Sequence, residues 1–266
     1  MTSVTTVEEG VLNSRFLRKQ CPYRIILPED YDRSRKDYSV LYLLHGLFGS
    51  GVNFLEQTDI LAFEARRKFA VVLPEGENGW YTDGETDKYE SSFLEEIIPA
   101  VEAKYNLGGA RAVAGISMGG YGALKFAVRK PELFVFAGSM SGALDAAART
   151  DSLPDEDWAM LGPSITKVFG NENSPLRRRN DLFLLVENFQ PARASALPMI
   201  YLDCGKADSF LEANRRFARL LERKNIAFSY REHEGGHDWH YWNRQTRTVL
   251  AFAENCMKKA GALEIS

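Results

Sequence analysis

A mostly parallel α/β sheet with helices on both faces is the fold class that the sequence predicts. Short, continuously apolar runs alternate with amphipathic stretches along most of the 266 residues, the order expected for parallel strands joined by helical crossovers. The runs lack polar alternation, as strands covered on both faces do. A serine flanked by glycines also stands between one such run and the helix after it, at what would be the carboxyl end of a strand.

The elements follow in order. Residues 2–11 show some alternation and 22–27 are extended, which together predict an antiparallel lead-in. Residues 39–44 form a short apolar strand, 54–68 have helical spacing, and 69–73 are the next strand, stopped by Pro74. Residues 90–105 predict an amphipathic helix, because Phe93, Ile97, Val101 and Tyr105 recur at i, i+4 with Leu94 and Ile98 beside them. Strand 111–116, helix 119–129 and strand 134–140 come next. Strand 199–204, helix 209–224, strand 227–232 and helix 241–259 complete the alternation. Residues 144–197 break the rhythm. They carry apolar residues and a basic run, Arg177-Arg178-Arg179, but no strand pattern. The expectation is one domain over 1–266 with a helical cap insert at about 144–197, since a connection of that length has a function or local structure of its own.

Composition narrows the function. Hydrophobic residues make up 45%, charged residues 26% and aromatics 12%, as in an ordinary globular chain. Lysine and arginine total 33 against 36 acidic residues, a net charge of −3. No basic excess is available for a phosphate backbone, so no nucleic-acid partner is expected. The amino terminus has neither a basic nor an apolar leader segment, and Val40–Leu44 is far shorter than a membrane span of about 20 residues. Cys21, Cys204 and Cys256 are odd in number and widely spaced, forming no disulfide framework and no CxxC pair. A cytoplasmic protein without membrane association is the expectation. The oligomeric state stays open, a homo-oligomer included.

The chemistry concentrates at Gly115-Ile116-Ser117-Met118-Gly119-Gly120, which fits G-x-S-x-G between strand and helix. In such an elbow the serine sits on a tight turn, and small neighbours let strand and helix approach. Ser117 Oγ would stand at a helix amino terminus, where dipole and free N–H groups favour developing negative charge. A serine hydroxyl needs a base. The histidines are His45, His233, His237 and His240, and in this kind of sheet the order is serine, acid, histidine. His237 follows Gly235-Gly236 and precedes a helix, so it is the candidate base, with His240 one turn on as the alternative and His233 close to the strand. Asp208 follows a strand through Gly205-Lys206-Ala207 and is the candidate acid. Its competing role is a helix cap; Asp203, inside the strand, and Asp145, after an earlier strand, are its rivals.

An oxyanion hole would use the Met118 N–H and a donor from the loop His45-Gly46-Leu47-Phe48-Gly49, with Leu47 the candidate and Gly46 the alternative. Those glycines match neither a dinucleotide nor a P-loop pattern, so no nucleotide cofactor is expected. His237 and His240 lack a surrounding Cys/His/carboxylate set, so no metal is expected either. Trp80, Tyr121 and Trp158 are candidates to contact substrate; for Trp80 a solvated turn is the alternative.

These residues resemble a known family. Leu43-Leu44-His45-Gly46, Gly115 to Ala123, Ser139-Met140-Ser141-Gly142, Asp208 and Gly235-Gly236-His237-Asp238-Trp239 are similar to the esterase D-like branch of the α/β-hydrolases, over about residues 23–252. That branch includes tributyrin esterases, S-formylglutathione hydrolases, feruloyl and acetylxylan esterases, and mycolyltransferases. Trp80-Tyr81-Thr82-Asp83 followed by Asp87-Lys88-Tyr89-Glu90 resembles the tributyrin esterase group most. Tyr121 stands where S-formylglutathione hydrolases usually carry histidine, which weighs against a glutathione thioester. The resemblance implies an α/β-hydrolase fold, the Ser117–His237–Asp208 triad and the Leu47 and Met118 donors.

The expected function is therefore a serine carboxylesterase for small-molecule esters with short acyl chains. A feruloyl or acetyl-sugar esterase, an S-formylglutathione hydrolase-like thioesterase and an acyltransferase are the alternatives on the same scaffold.

Overall fold

Parallel pairing and helix alternation build the molecule as the apolar runs predict. The computed structural model describes residues 6–65, 67–150, 158–190 and 196–261. Its strands are β1 (Thr6–Ser14), β2 (Lys19–Leu27), β3 (Ser39–Leu44), β4 (Phe69–Pro74), β5 (Arg111–Ile116), β6 (Phe136–Met140), β7 (Met199–Gly205) and β8 (Phe228–His233). They form one sheet in the order β1-β2-β4-β3-β5-β6-β7-β8. β1 and β2 pair antiparallel, β2 joins β4 antiparallel, and every later pairing is parallel. This is the α/β-hydrolase fold.

The helices are α1 (Asn53–Gln57), α2 (Ile60–Glu64), α3 (Tyr89–Ser92), α4 (Ile98–Tyr105), α5 (Met118–Arg129), α6 (Trp158–Phe169), α7 (Pro175–Asn180), α8 (Leu182–Glu187), α9 (Leu211–Arg223) and α10 (Trp239–Lys259). They cover both faces, and the period of two along a strand assigns its side chains. Val40, Tyr42 and Leu44 of β3 join a core with Val101 of α4, Leu124 of α5 and Phe217 of α9. Leu41 and Leu43 face the other way, into a core with Ile60 of α2 and Val249 and Leu250 of α10. Burial of both faces is why the central strands read as unbroken apolar runs.

Three elements differ from the sequence expectation, each for a local reason. The lead-in hairpin pairs right up to its turn, Ser14 opposite Lys19, with Arg18 in the left-handed region, so polar residues are drawn into both strands. The single helix expected over 54–68 is broken into α1 and α2. Thr58 is extended, its hydroxyl donates to Phe54 O at 2.5 Å, and that bond competes with helix continuation. The helix expected over 90–105 contains a π-helical turn at Phe93–Ile97 between α3 and α4. Pro99 stands one turn on, lacking an N–H and crowding the carbonyl before it. The excursion after β6 contains α6, α7 and α8 and no strand among its described residues.

The turn from β5 into α5 is the tightest crossing. Ser117 lies there with φ 52° and ψ −117°, a conformation that side-chain-bearing residues rarely take. A β-carbon on Gly115 would lie 2.4 Å from Gly119 C, and one on Gly119 would lie 2.2 Å from Leu44 O. Backbone, not a flexible side chain, fills both positions. Gly119→Ala should therefore force β3 and α5 apart and cost roughly 1–3 kcal/mol or more, read as a lower urea midpoint. An unchanged midpoint would contradict this account of the crossing.

Candidate active site

Three loops leave the carboxyl edge of the sheet and meet around Ser117. The first is the elbow itself. Ser117 N–H donates to Met140 O at 3.0 Å and Ser117 O accepts from Ala143 N–H at 3.1 Å, so the strained residue is pinned to the end of β6. Ser117 is 7% exposed.

The second and third loops, after β7 and β8, are locked to each other. Lys206 N–H donates to His233 O at 2.8 Å and Ala207 N–H to Gly235 O at 2.9 Å. A β-carbon on Gly205 would lie 2.4 Å from Gly235 O, and Gly235 has φ 139°, which explains glycine at both places. Asp238 then caps α10, its Oδ1 accepting from Tyr241 N–H at 2.9 Å. Between the lock and the cap, His237 projects back over the sheet.

His237 Nε2 lies 3.0 Å from Ser117 Oγ, and His237 Nδ1 lies 3.0 Å from Asp208 Oδ2. The imidazole is held between Phe210, at 5.0 Å between centroids, and Trp242, at 4.8 Å edge-on. Asp208 Oδ1 also accepts from Phe210 N–H at 2.9 Å; Phe210, not Asp208, is the N-cap of α9, and no side chain caps that helix. Burial acts to raise the Asp208 carboxyl, but the His237 hydrogen bond and charge and the Phe210 N–H outweigh it. The group stands below the usual carboxylate range.

The structure separates the rivals. His240 is exposed on α10, and His233 stays beside the end of β8. His45 is buried; its Nδ1 is 2.7 Å from Gly46 O, and its Nε2 lies 2.8 Å from Glu75 Oε1 and 2.9 Å from Gly76 N, so it braces the Gly46–Leu47 loop. Asp145 pairs with Arg149 at 3.0 Å and Arg216 at 2.8 Å. Asp203 is buried on β7, where Tyr241 Oη donates to Oδ1 at 2.8 Å.

The Gly46–Leu47 loop lies against the serine: a β-carbon on Gly46 would be 3.4 Å from Ser117 Cβ. Gly49 N–H closes the loop onto Gly46 O at 3.2 Å and Phe48 N–H donates to Asn78 Oδ1 at 2.8 Å. Met118 opens α5, where N–H groups have no partner within the helix.

A cavity of about 410 Å³ opens over Ser117 and His237. Leu47, Phe48, Phe210, Trp239 and Trp242 give it apolar walls, Met160 and Leu161 of α6 reach in from the excursion, and Asn53 and Gln57 add a polar end. Phe48 and Met160 stand 62% and 53% exposed at its lips. Two expected substrate contacts need correction. Trp80 and Tyr121 do not line this cavity. Both are fully buried and pack on each other and on Phe169, with Trp80 Nε1 donating to Ser164 Oγ at 3.1 Å and Tyr121 Oη to Asn180 O at 2.6 Å. The excursion covers them, which a linear sequence does not reveal. The Trp158 side chain lies outside the described residues. Conversely, Trp239 and Trp242, not singled out from the sequence as walls, line the cavity. Their signal was the i, i+3 spacing just after His237, on the face that α10 turns toward it.

Among the described residues no His/Cys/Asp/Glu group could hold a metal ion, and no helix is long and apolar enough to cross a membrane.

Comparisons with known proteins identify the family. A family model described as "Putative esterase" matches residues 14–252. An acetyl esterase of Caldicellulosiruptor saccharolyticus is 32% identical over 246 residues, covering 87% of this chain and 91% of its own. The solved structure of a ferulic acid esterase superposes with a TM-score of 0.82 at 26% identity, covering 95% of this chain and 99% of that one. A diacylglycerol acyltransferase/mycolyltransferase Ag85A of Mycobacterium leprae is 28% identical over 240 residues, covering 77% and 71%.

Asp203 offers a test of the electrostatics. Burial pushes its carboxyl up to about 7 from 3.8. Between those values the unfolded chain is ionised while the folded one keeps its proton, so this group's penalty is absent below pH ~4, grows to pH ~7 and is constant above. Asp203→Asn should gain stability relative to the parent across that window, by roughly 4 kcal/mol in total. A stability difference independent of pH would refute the assignment.

Proposed function

We propose that this chain, which belongs to the Putative esterase family and hydrolyses carboxylic esters, does so on short-chain acyl esters through Ser117, His237 and Asp208. The observation that carries the reading is the continuous line from Ser117 Oγ to His237 Nε2 and from His237 Nδ1 to Asp208 Oδ2, each 3.0 Å. His237 Nε2 takes the Ser117 proton as Oγ attacks the ester carbonyl, and the carbonyl electron pair moves onto oxygen. The N–H groups of Leu47 and Met118 hold that oxyanion. Asp208, ionised and buried, keeps Nδ1 protonated and stabilises the imidazolium. His237 then returns the proton to the leaving alcohol, and water repeats the sequence in reverse on the acyl-enzyme.

The 144–197 excursion acts as a cap in this reading, with Met160 and Leu161 closing one wall of the cavity. A volume of about 410 Å³ shared by acyl and alcohol parts suits a small acyl group. The acetyl esterase similarity points the same way. A second reading, a feruloyl esterase, is favoured by the aromatic walls Phe210, Trp239 and Trp242 together with the ferulic acid esterase likeness.

Ser117→Ala should lower kcat on p-nitrophenyl acetate on the order of 10⁴–10⁶-fold, as expected when a triad acts as a unit. Near-parental turnover would remove Ser117 from the mechanism. Across p-nitrophenyl esters, kcat/KM should peak at acetate to butyrate and fall by at least about 10-fold at octanoate, since an added chain must overfill the cavity. A maximum at octanoate refutes the short-chain reading, and methyl ferulate hydrolysed faster than any of them selects the second.

A further inference from the structure

Lys125 lies on α5 two turns beyond Ser117 and is completely enclosed, 0% exposed. Burying an ammonium is costly unless it is fully partnered. Its Nζ donates to Tyr81 O at 2.8 Å and to Thr82 Oγ1 at 2.5 Å, and pairs with Glu90 Oε2 at 3.1 Å; Arg129 holds the same carboxylate. Both hydrogen bonds end on the turn Trp80–Thr82, and that turn is strained. Trp80 and Tyr81 are consecutive residues with φ of 50° and 46°. Such a pair persists only where its surroundings over-determine it.

From this turn the Tyr81 side chain reaches His45. Its ring lies 5.9 Å from the His45 ring, and its hydroxyl donates to His45 O at 3.2 Å. The peptide carrying that oxygen leads into Gly46, whose β position is 3.4 Å from Ser117 Cβ, and then Leu47. An unbroken chain of contacts therefore links the buried ammonium to the loop beside the serine.

We propose that Lys125 and Tyr81 are positioning residues for the oxyanion loop: Lys125 clamps the Trp80–Thr82 turn, and the Tyr81 hydroxyl fixes the His45 carbonyl so that the Leu47 N–H faces the developing oxyanion. This rests on the reading of Leu47 as an oxyanion donor. Neither residue touches substrate, and neither proton moves in the reaction.

Tyr81→Phe removes one hydroxyl and keeps the ring, so it tests the link without emptying the core. The readouts are kcat and KM on p-nitrophenyl acetate, and Ki for an aryl trifluoromethyl ketone. Such a ketone forms a hemiketal with a serine Oγ and places its oxyanion where the transition state does. Tyr81→Phe should lower kcat about 10-fold with KM within about twofold, and raise the ketone Ki by the same factor as kcat falls. Lys125→Met should act in the same direction. In a Tyr81→Phe background it should cost clearly less than alone, because its effect passes through that hydroxyl. Parental kcat and Ki in Tyr81→Phe overturn the proposal, as does a lowered kcat with unchanged Ki. Additive losses remove Lys125 from it. A parent enzyme indifferent to the ketone fails the Ser117 reading itself, which distinguishes that failure from this one.

Discussion

Everything at the site depends on one strained residue, Ser117, held at φ 52° and ψ −117° where β5 passes into α5. Such a backbone costs roughly 1–3 kcal/mol. It is sustained by hydrogen bonds to Met140 and Ala143 on the neighbouring strand end and by the close crossing that Gly115 and Gly119 permit. The conformation turns Oγ out of the sheet at the start of a helix. A relaxed residue there would let the side chain follow the strand's alternation into one core or the other. The strain is thus the condition for presenting a hydroxyl at the sheet edge.

Once the hydroxyl is presented, the parallel topology supplies its partners. β7 and β8 end beside one another, and their following loops are stitched by Lys206–His233 and Ala207–Gly235 hydrogen bonds. The stitching holds Asp208 and His237 in mutual register. It also separates two aspartates close in sequence. Asp203, five positions earlier and inside the strand, is driven toward its neutral form by burial, with one oxygen left without a partner among the described residues. Asp208, on the loop, meets an imidazole and a main-chain N–H and stays ionised. An orienting carboxylate must carry charge at neutral pH, so the loop position and not the strand position fits the role.

That division explains what was legible in the sequence. Ser117, Asp208 and His237 each sit on a short motif whose local chemistry marks it as a candidate, and the topology then brings them to hydrogen-bonding distance. The central strands were legible because burial on both faces leaves an apolar run. Helix interruptions were not, because they depend on a single Thr58 hydroxyl or on Pro99 reaching a carbonyl a turn away. The walls of the cavity were the least legible part. Trp80 and Tyr121 look like pocket residues beside the motifs, yet α6 and α7 cover them, and only the fold of the excursion decides that.

The origin of those walls has a consequence for specificity. Ser117, His237 and Asp208 come from loops at the sheet edge, where pairing between strands leaves little freedom. Much of the cavity wall comes instead from α1, α6 and the start of α10: Gln57, Met160, Leu161, Trp239 and Trp242. Among these, Trp242 packs edge-on against the imidazole. A change at Trp242 or Phe210 alters the seat of His237 as well as the cavity wall. Cavity shape and the seat of the imidazole are therefore coupled at Phe210 and Trp242, which serve both.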